Sequence, residues 1–219
     1  MNLNIYTINH PTISSLTSYI CNTKINIIEK RNILNQIYFA LLYEATRKSI
    51  KLLNLYINKL NFISEIALLP KEISYIILSE IYISYILSKN IYDIIPKAII
   101  LPFDLDLVKN NQDPKIVIPN KLNLFKSNSQ VFIIQQDLNA DIIFKILNSS
   151  ILSKVPIKQV QIICIFCSID TLQQISQKYI NLNIYTTKIT RGNNNCNINY
   201  PEDYFPADQR RSNNADLRQ

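Results

Sequence analysis

A chain of 219 residues, 47% hydrophobic and 18% charged, is long enough for one domain with a sizeable core, and this composition excludes a disordered or fibrous protein. The net charge of +7 comes from lysines spaced singly over residues 1–190, because Arg191, Arg210, Arg211 and Arg218 are offset by Glu202, Asp203, Asp208 and Asp216. With no basic run and no interleaved aromatic and basic repeats, no nucleic-acid partner is expected. The most apolar window, 73–87, is too short for a membrane span and contains Glu80.

Residue usage is more informative than class. The chain has 42 Ile and 27 Asn but a single Gly, Gly192, and no Trp. Ile, Asn, Lys and Tyr have codons rich in A and T, so the coding bias points to an AT-rich genome, and the stroma of a plastid is the expected location. Residues 1–10 lack the basic and apolar regions of a signal peptide. Cys164 and Cys167 lie inside Val160–Ile169, which reads as a buried strand. Three residues apart on a strand places them on opposite faces, so converging metal ligands are not expected and no metal site is assigned. No disulfide framework is evident with Cys21 and Cys196, which fits a reducing compartment.

In chain order, residues 2–8 form a short alternating segment, and a helix is expected from Thr12 to about Cys21. His10, the sole histidine, has no acid or thiol nearby in sequence and reads as structural. Residues 30–48 read as a helix with Ile33, Ile37, Ala40 and Leu41 on one stripe. Glu44 continues that stripe and needs Arg47 or Lys48 as partner. Strands are expected near 74–79, 98–103, 130–135, 160–168 and 182–186, with a helix over 82–92 and another over 171–179. Residues 104–128 have the composition of turns around a short strand at 116–118. The pattern is α/β, a mostly parallel open sheet flanked by helices.

The stretch from Val131 to Leu147 is a strand, a tight polar loop and a helix. In a parallel sheet such a loop, facing a helix N-terminus, is the usual place for a phosphate group. Here it reads Gln135-Gln136-Asp137-Leu138-Asn139-Ala140-Asp141 and contains no glycine. Asp141, or Asn139 before it, is a good N-cap for the helix, and an anionic cap would repel a phosphate.

Leu41-Leu42-Tyr43-Glu44-Ala45-Thr46-Arg47, with His10-Pro11 placed 33 residues before Tyr43, resembles the N-terminal helix of the uracil phosphoribosyltransferase family. The resemblance runs over most of residues 9–208 and implies a phosphoribosyltransferase-like domain over 1–190, with a polar segment at 191–219 that holds the base-binding region and a disordered tail. The family's Pro-Ile-Leu-Arg-Ala-Gly-Leu-Gly segment binds the diphosphate of phosphoribosyl pyrophosphate. Tyr82 falls where its Arg belongs, and Ser84 and Ile86 where its glycines belong. Against the family's phosphate loop, Asp-Pro-Met-Leu-Ala-Thr-Gly-Gly-Ser, Gln135 stands in place of the Asp, Leu138 keeps the Leu, Ala140 replaces the Thr, and Asp141 and Ile142 replace both glycines. Asp137 and Asn139 complete this loop remnant. Asp170 falls on the Glu of the Ala-Pro-Glu-Gly turn, and Ile184-Tyr185-Thr186 repeats the family's Leu-Tyr-Thr. In the base-binding segment Pro201 and Asp208 survive, while Glu202, Tyr204 and Ala207 stand where glycines belong.

Two functions follow from this resemblance. One is a pseudoenzyme: a family fold with degenerate ligand loops and no catalytic residues or cofactor, kept as a binding or assembly protein, as a homodimer or with a protein partner. The alternative is an active enzyme of pyrimidine salvage making UMP from uracil and phosphoribosyl pyrophosphate with Mg²⁺. Glycine at the phosphate loop lets several N–H groups approach one anion, and the branched Ile142 side chain obstructs that approach. The first reading is therefore the expected one.

Overall fold

The computed structural model describes residues 3–22, 25–60, 62–103, 125–149, 152 and 154–191. The strands are β1 (Asn4–Thr7), β2 (Leu53–Lys59), β3 (Phe62–Leu68), β4 (Tyr75–Glu80), β5 (Ala98–Phe103), β6 (Gln130–Asp137), β7 (Val160–Ser168) and β8 (Asn183–Thr190). The α-helices are α1 (Pro11–Tyr19), α2 (Ile27–Ser49), α3 (Ile81–Leu87), α4 (Ile91–Ile94), α5 (Ala140–Asn148) and α6 (Ile169–Lys178). Six strands form one sheet in the order β1-β8-β7-β6-β4-β5, with every neighbouring pair parallel, and β2 and β3 form a separate antiparallel hairpin.

The sheet is parallel because its strands are apolar on both faces and need helices on each side. All six residues of β4 and all nine of β7 are buried. Alternation then divides the core. Ile76, Leu78, Val131, Ile133 and Ile162 pack on one side with Ile143, Ile146 and Ile175 of α5 and α6. Tyr75, Ile77, Phe132, Ile134 and Ile163 pack on the other with α2 and α3. Each fully buried Ile or Leu contributes about 1.5–3 kcal/mol by leaving water.

Helix α2 spans the second layer. Asn26 caps it by accepting a hydrogen bond from the Ile28 amide at 3.2 Å, and Arg47 and Lys48 sit at its negative C-terminal end. Its buried stripe is Ile33, Leu34, Ile37, Tyr38, Leu41, Leu42, Ala45 and Thr46. Ala40 and Glu44 therefore flank the core stripe and are only half-buried. Arg47 Nε lies 3.2 Å from Glu44 Oε2, the pairing that the i, i+3 spacing predicts. Lys48 sits instead 4.6 Å above the Tyr6 ring, which stacks on Tyr185 at 4.8 Å.

The five expected core strands are present, and β6 is internal to the sheet. The alternating segment at the N-terminus is β1, an edge strand beside β8. The expected helix over 82–92 is two helices, α3 and α4, parted by a turn at 88–90. The β2–β3 hairpin was not anticipated; the expected strand at 116–118 lies outside the described residues. Among the described residues no helix is long and apolar enough to cross a membrane.

Two cysteine expectations change. Ile165 and Phe166 of β7 both face the α2 side, so the alternation breaks between them. Cys164 and Cys167 thereby reach the same side, the one facing α5 and α6. Cys21 is disulfide-bonded, whereas Cys164 and Cys167 are free and buried. The disulfide at Cys21 departs from the expectation of no disulfide framework.

If α2 owes its place to this stripe, Ile37→Ala should lower stability by about 2–5 kcal/mol. Asn32→Ala, on the exposed face of the same helix, should change it by less than about 0.5 kcal/mol. Urea unfolding of the two variants checks both.

Candidate functional site

The carboxyl ends of β6 and β7 and the N-termini of α5 and α6 meet on one edge of the sheet. Backbone pairing fixes the β6–α5 loop at its start, because the Leu138 amide donates to the Phe166 carbonyl at 2.9 Å. Gln135 is fully buried at the end of β6, and its Oε1 accepts from the Asn139 amide at 3.2 Å. Asn139 is the N-cap of α5. Its Oδ1 accepts from the Asp141 amide at 3.0 Å and from the Ile142 amide at 3.3 Å. Of the two cap candidates it is Asn139 that caps, and Asp141 is an exposed residue of the first turn.

Chemically, two features of this loop work against an anion at the helix start. A helix N-terminus binds phosphate through amide hydrogens that lack partners. Here one neutral side chain has already taken two of them, and the Asp141 carboxylate stands beside the positive helix end. Ala140 and Ile142 turn inward and are buried in the core with Ile143 and Ile146. The same arrangement is repeated at α6, where Ser168 Oγ accepts from the Thr171 amide at 3.1 Å. A cavity of about 240 Å³ lies between the two helix starts, lined by Leu138–Asp141 on one side and by Cys167, Ser168, Thr171 and Gln174 on the other.

Polarity is nevertheless retained at this edge. Among the described residues Gln135 Nε2 and Asp137 Oδ1 are buried without a hydrogen-bond partner. Burial pushes the Asp137 carboxyl above its ordinary pKa, against a smaller downward pull from the Gln136 amide that donates to Oδ2 at 3.1 Å. The Cys164 thiol is held well above the ordinary range by its hydrogen bond to Cys167 and by burial. Cys167, on the receiving side of that bond, is drawn downward. Among the described residues no three His, Cys, Asp or Glu side chains gather in a metal-binding group.

Tyr82 lies in α3, one connection away, half-buried against the α2 side of the core. Ser84 Oγ is 2.6 Å from Ser79 Oγ, and Ile86 is buried. The segment after β4 is thus a packed helix rather than an open loop. Pro201 and Asp208 lie outside the described residues, as does the segment after Arg191. The sequence reading missed the second wall of the cavity, Cys167, Ser168 and Thr171. A Ser three residues before a Thr at a strand-to-helix junction was the available signal. It also missed a groove of about 470 Å³ bounded by Tyr6, His10, Glu44, Arg47, Lys48 and Tyr185. Its parts come from both ends of the sequence, and only the β1–β8 pairing brings them together.

Asn139→Ala should cost about 0.5–2 kcal/mol, because two amides lose their acceptor. Asp141→Ala should cost about 0.3–1 kcal/mol, the part owed to the helix dipole alone. Chemical denaturation of the two variants ranks the roles. Asp137 supplies a pH test. A carboxyl whose pKa is higher folded than unfolded opposes folding once it ionises, above about pH 4, and adds no such cost when both states are protonated. Asp137→Asn should therefore raise the melting temperature at pH 7 and leave it unchanged at pH 3.

No protein-family model matches the chain. A curated "uracil phosphoribosyltransferase homolog" of Pyropia yezoensis is 27% identical over 124 residues, which make up 57% of this chain and 58% of that relative. The match thus spans a little over half the length of each. Among solved structures, the AQ2163 protein of Aquifex aeolicus superposes with a TM-score of 0.66 over 85% of this chain and 88% of its own, at 16% identity, and shares the fold. A hypoxanthine phosphoribosyltransferase of Trypanosoma cruzi aligns over 74% of this chain and 76% of its own with a TM-score of 0.42 at 6% identity, too distant to bear on the site. In sequence, over that stretch, the chain is similar to a uracil phosphoribosyltransferase homologue.

Proposed function

We propose that this chain is a uracil phosphoribosyltransferase-like pseudoenzyme that serves as a binding or assembly protein. One observation carries the reading. At the start of α5 the Asp141 and Ile142 amides, which a phosphate would need, already donate to Asn139 Oδ1, and the Ile142 side chain is packed into the core. Opening the site would therefore require both breaking a cap and extracting a buried side chain. Neither is offset by a new donor, because Tyr82 supplies no cation at the position where the family has its diphosphate-binding Arg.

Mg²⁺, which in an active enzyme of this family would accompany phosphoribosyl pyrophosphate, meets a related obstacle. Asp137 is the carboxylate at the end of β6, and burial already disfavours its charged form. A bound divalent ion would have to offset that preference. The coding bias supports placing the protein in the stroma of a plastid, where its role would depend on its surfaces.

Calorimetric titration with phosphoribosyl pyrophosphate and Mg²⁺ at millimolar concentration should give no binding isotherm, and incubation with uracil should give no UMP. A clear isotherm or a UMP product would overturn this reading in favour of an active salvage enzyme.

A further inference from the structure

The break in alternation at Phe166 sets two thiols on one side of β7, three residues apart, against the apolar layer of α5 and α6. Cys164 and Cys167 are both free, buried and hydrogen-bonded to each other. The neighbouring strands put polar groups around them. Backbone register sets Gln135 of β6 on one flank of Cys164 and Thr186 of β8 on the other. Both flanking residues are fully buried, and the Thr186 hydroxyl is within hydrogen-bonding reach of both thiols. Gln135 Nε2 is a buried donor without a partner, although Oε1 of the same amide is held by the Asn139 amide. An unmatched donor in a core is costly and points to an acceptor beside it. A neutral thiol is a weak acceptor, whereas a thiolate is a strong one.

Two reactions could join such thiols, and geometry separates them. A disulfide holds its Cα atoms within about 7 Å. Three strand residues span about 10 Å, and β7 is paired on both sides here, so closing that bond would pull the strand out of the sheet. A cation held between two sulfurs asks for less. With metal–sulfur bonds of about 2.3 Å the sulfurs stand roughly 4–5 Å apart, only slightly wider than the hydrogen-bond contact that the thiols already make.

We propose that Cys164 and Cys167 form a two-coordinate site for Cu(I), with Gln135 Nε2 donating to the metallated sulfur of Cys164. The donor set selects the ion. Thiolate is a soft ligand that favours Cu(I), whereas structural Zn²⁺ takes four ligands, and among the described residues no third His, Cys, Asp or Glu joins the pair. Binding replaces two S–H bonds by two Cu–S bonds and releases both protons to solvent. Copper enters as Cu(I), so no electron moves. The product carries one net negative charge in the core, which the Gln135 and Thr186 donors offset. A charge on Asp137 would act against it, and burial already disfavours that charge. Cys167 lines the cavity of about 240 Å³ between the starts of α5 and α6, so it meets the ion first, with Cys164 behind it.

The site uses none of the amides at the start of α5, so UMP formation would overturn the pseudoenzyme reading and leave the copper site standing. The full chain, titrated anaerobically with Cu(I) against the chelator bathocuproine disulfonate, should retain one copper per chain. X-ray absorption at the copper edge should show a shell of two sulfurs. Cys164→Ala with Cys167→Ala, which keeps Cys21 and Cys196, should retain none, with circular dichroism as the check on folding. Should that variant lose its fold, the sulfur shell of the wild type decides alone. Gln135→Leu should hold copper roughly ten- to a hundredfold more weakly, the weight of one hydrogen bond to a charged group. An excess of Zn²⁺ should displace no copper. A wild type that retains none, a shell holding oxygen, nitrogen or a third sulfur, retention by the folded double variant, displacement by Zn²⁺, or unchanged affinity in Gln135→Leu would overturn the proposal.

Discussion

The position of β6 between β4 and β7 is the constraint on which the rest of the structure depends. From Val131 to Gln136 every residue is buried, so each peptide group in this run must find its partner in a neighbouring strand. That requirement fixes where the β6–α5 loop emerges and hence which helix N-terminus faces it. It also explains the two buried glutamines, which continue the strand where an apolar residue would ordinarily stand. The amide of Gln135 turns its oxygen to the Asn139 amide and so ties the strand end to the cap of α5. Strand, loop and helix are thereby one hydrogen-bonded unit.

A chain with one glycine has few ways to bring several amides to one point. It can close a helix start with a side chain, as Asn139 and Ser168 do, and it can bend backbone through asparagine, as at Asn181, whose φ of 62° lies in the left-handed region. Neither device opens the backbone for an anion, so the composition that fills the core with isoleucine and leaves one glycine also shapes what the loops can do.

The core strands were legible in the sequence because long apolar runs bounded by polar residues have few alternatives in a chain of this class. The α2 stripe was legible for the same reason, with an offset at Ala40 and Glu44 that a continuous helix resolves only when the facing sheet is known. The choice between Asn139 and Asp141 as cap was not legible, since both residue types serve and only the helix start separates them. The sides of Cys164 and Cys167 were misread because alternation fails locally at Phe166, and no residue type announces that. The hairpin escaped notice for a different reason. Its alternating apolar residues read like a core strand, but among the described residues they join neither core cluster.

The pairing of β1 with β8 joins residues 4–7 to residues 183–186, with Asn4 Nδ2 donating to Asn183 Oδ1 at 3.0 Å. During synthesis β1 must therefore wait for β8. At about 5–20 residues per second the delay is on the order of 10–40 s. Throughout it, β1 and the Tyr6 ring have no partner in the sheet, and the groove beside His10 has only one wall. The interval sets a lower limit on how soon a newly made chain can display that groove, and it makes the N-terminal strand the element most in need of protection while the ribosome is still at work.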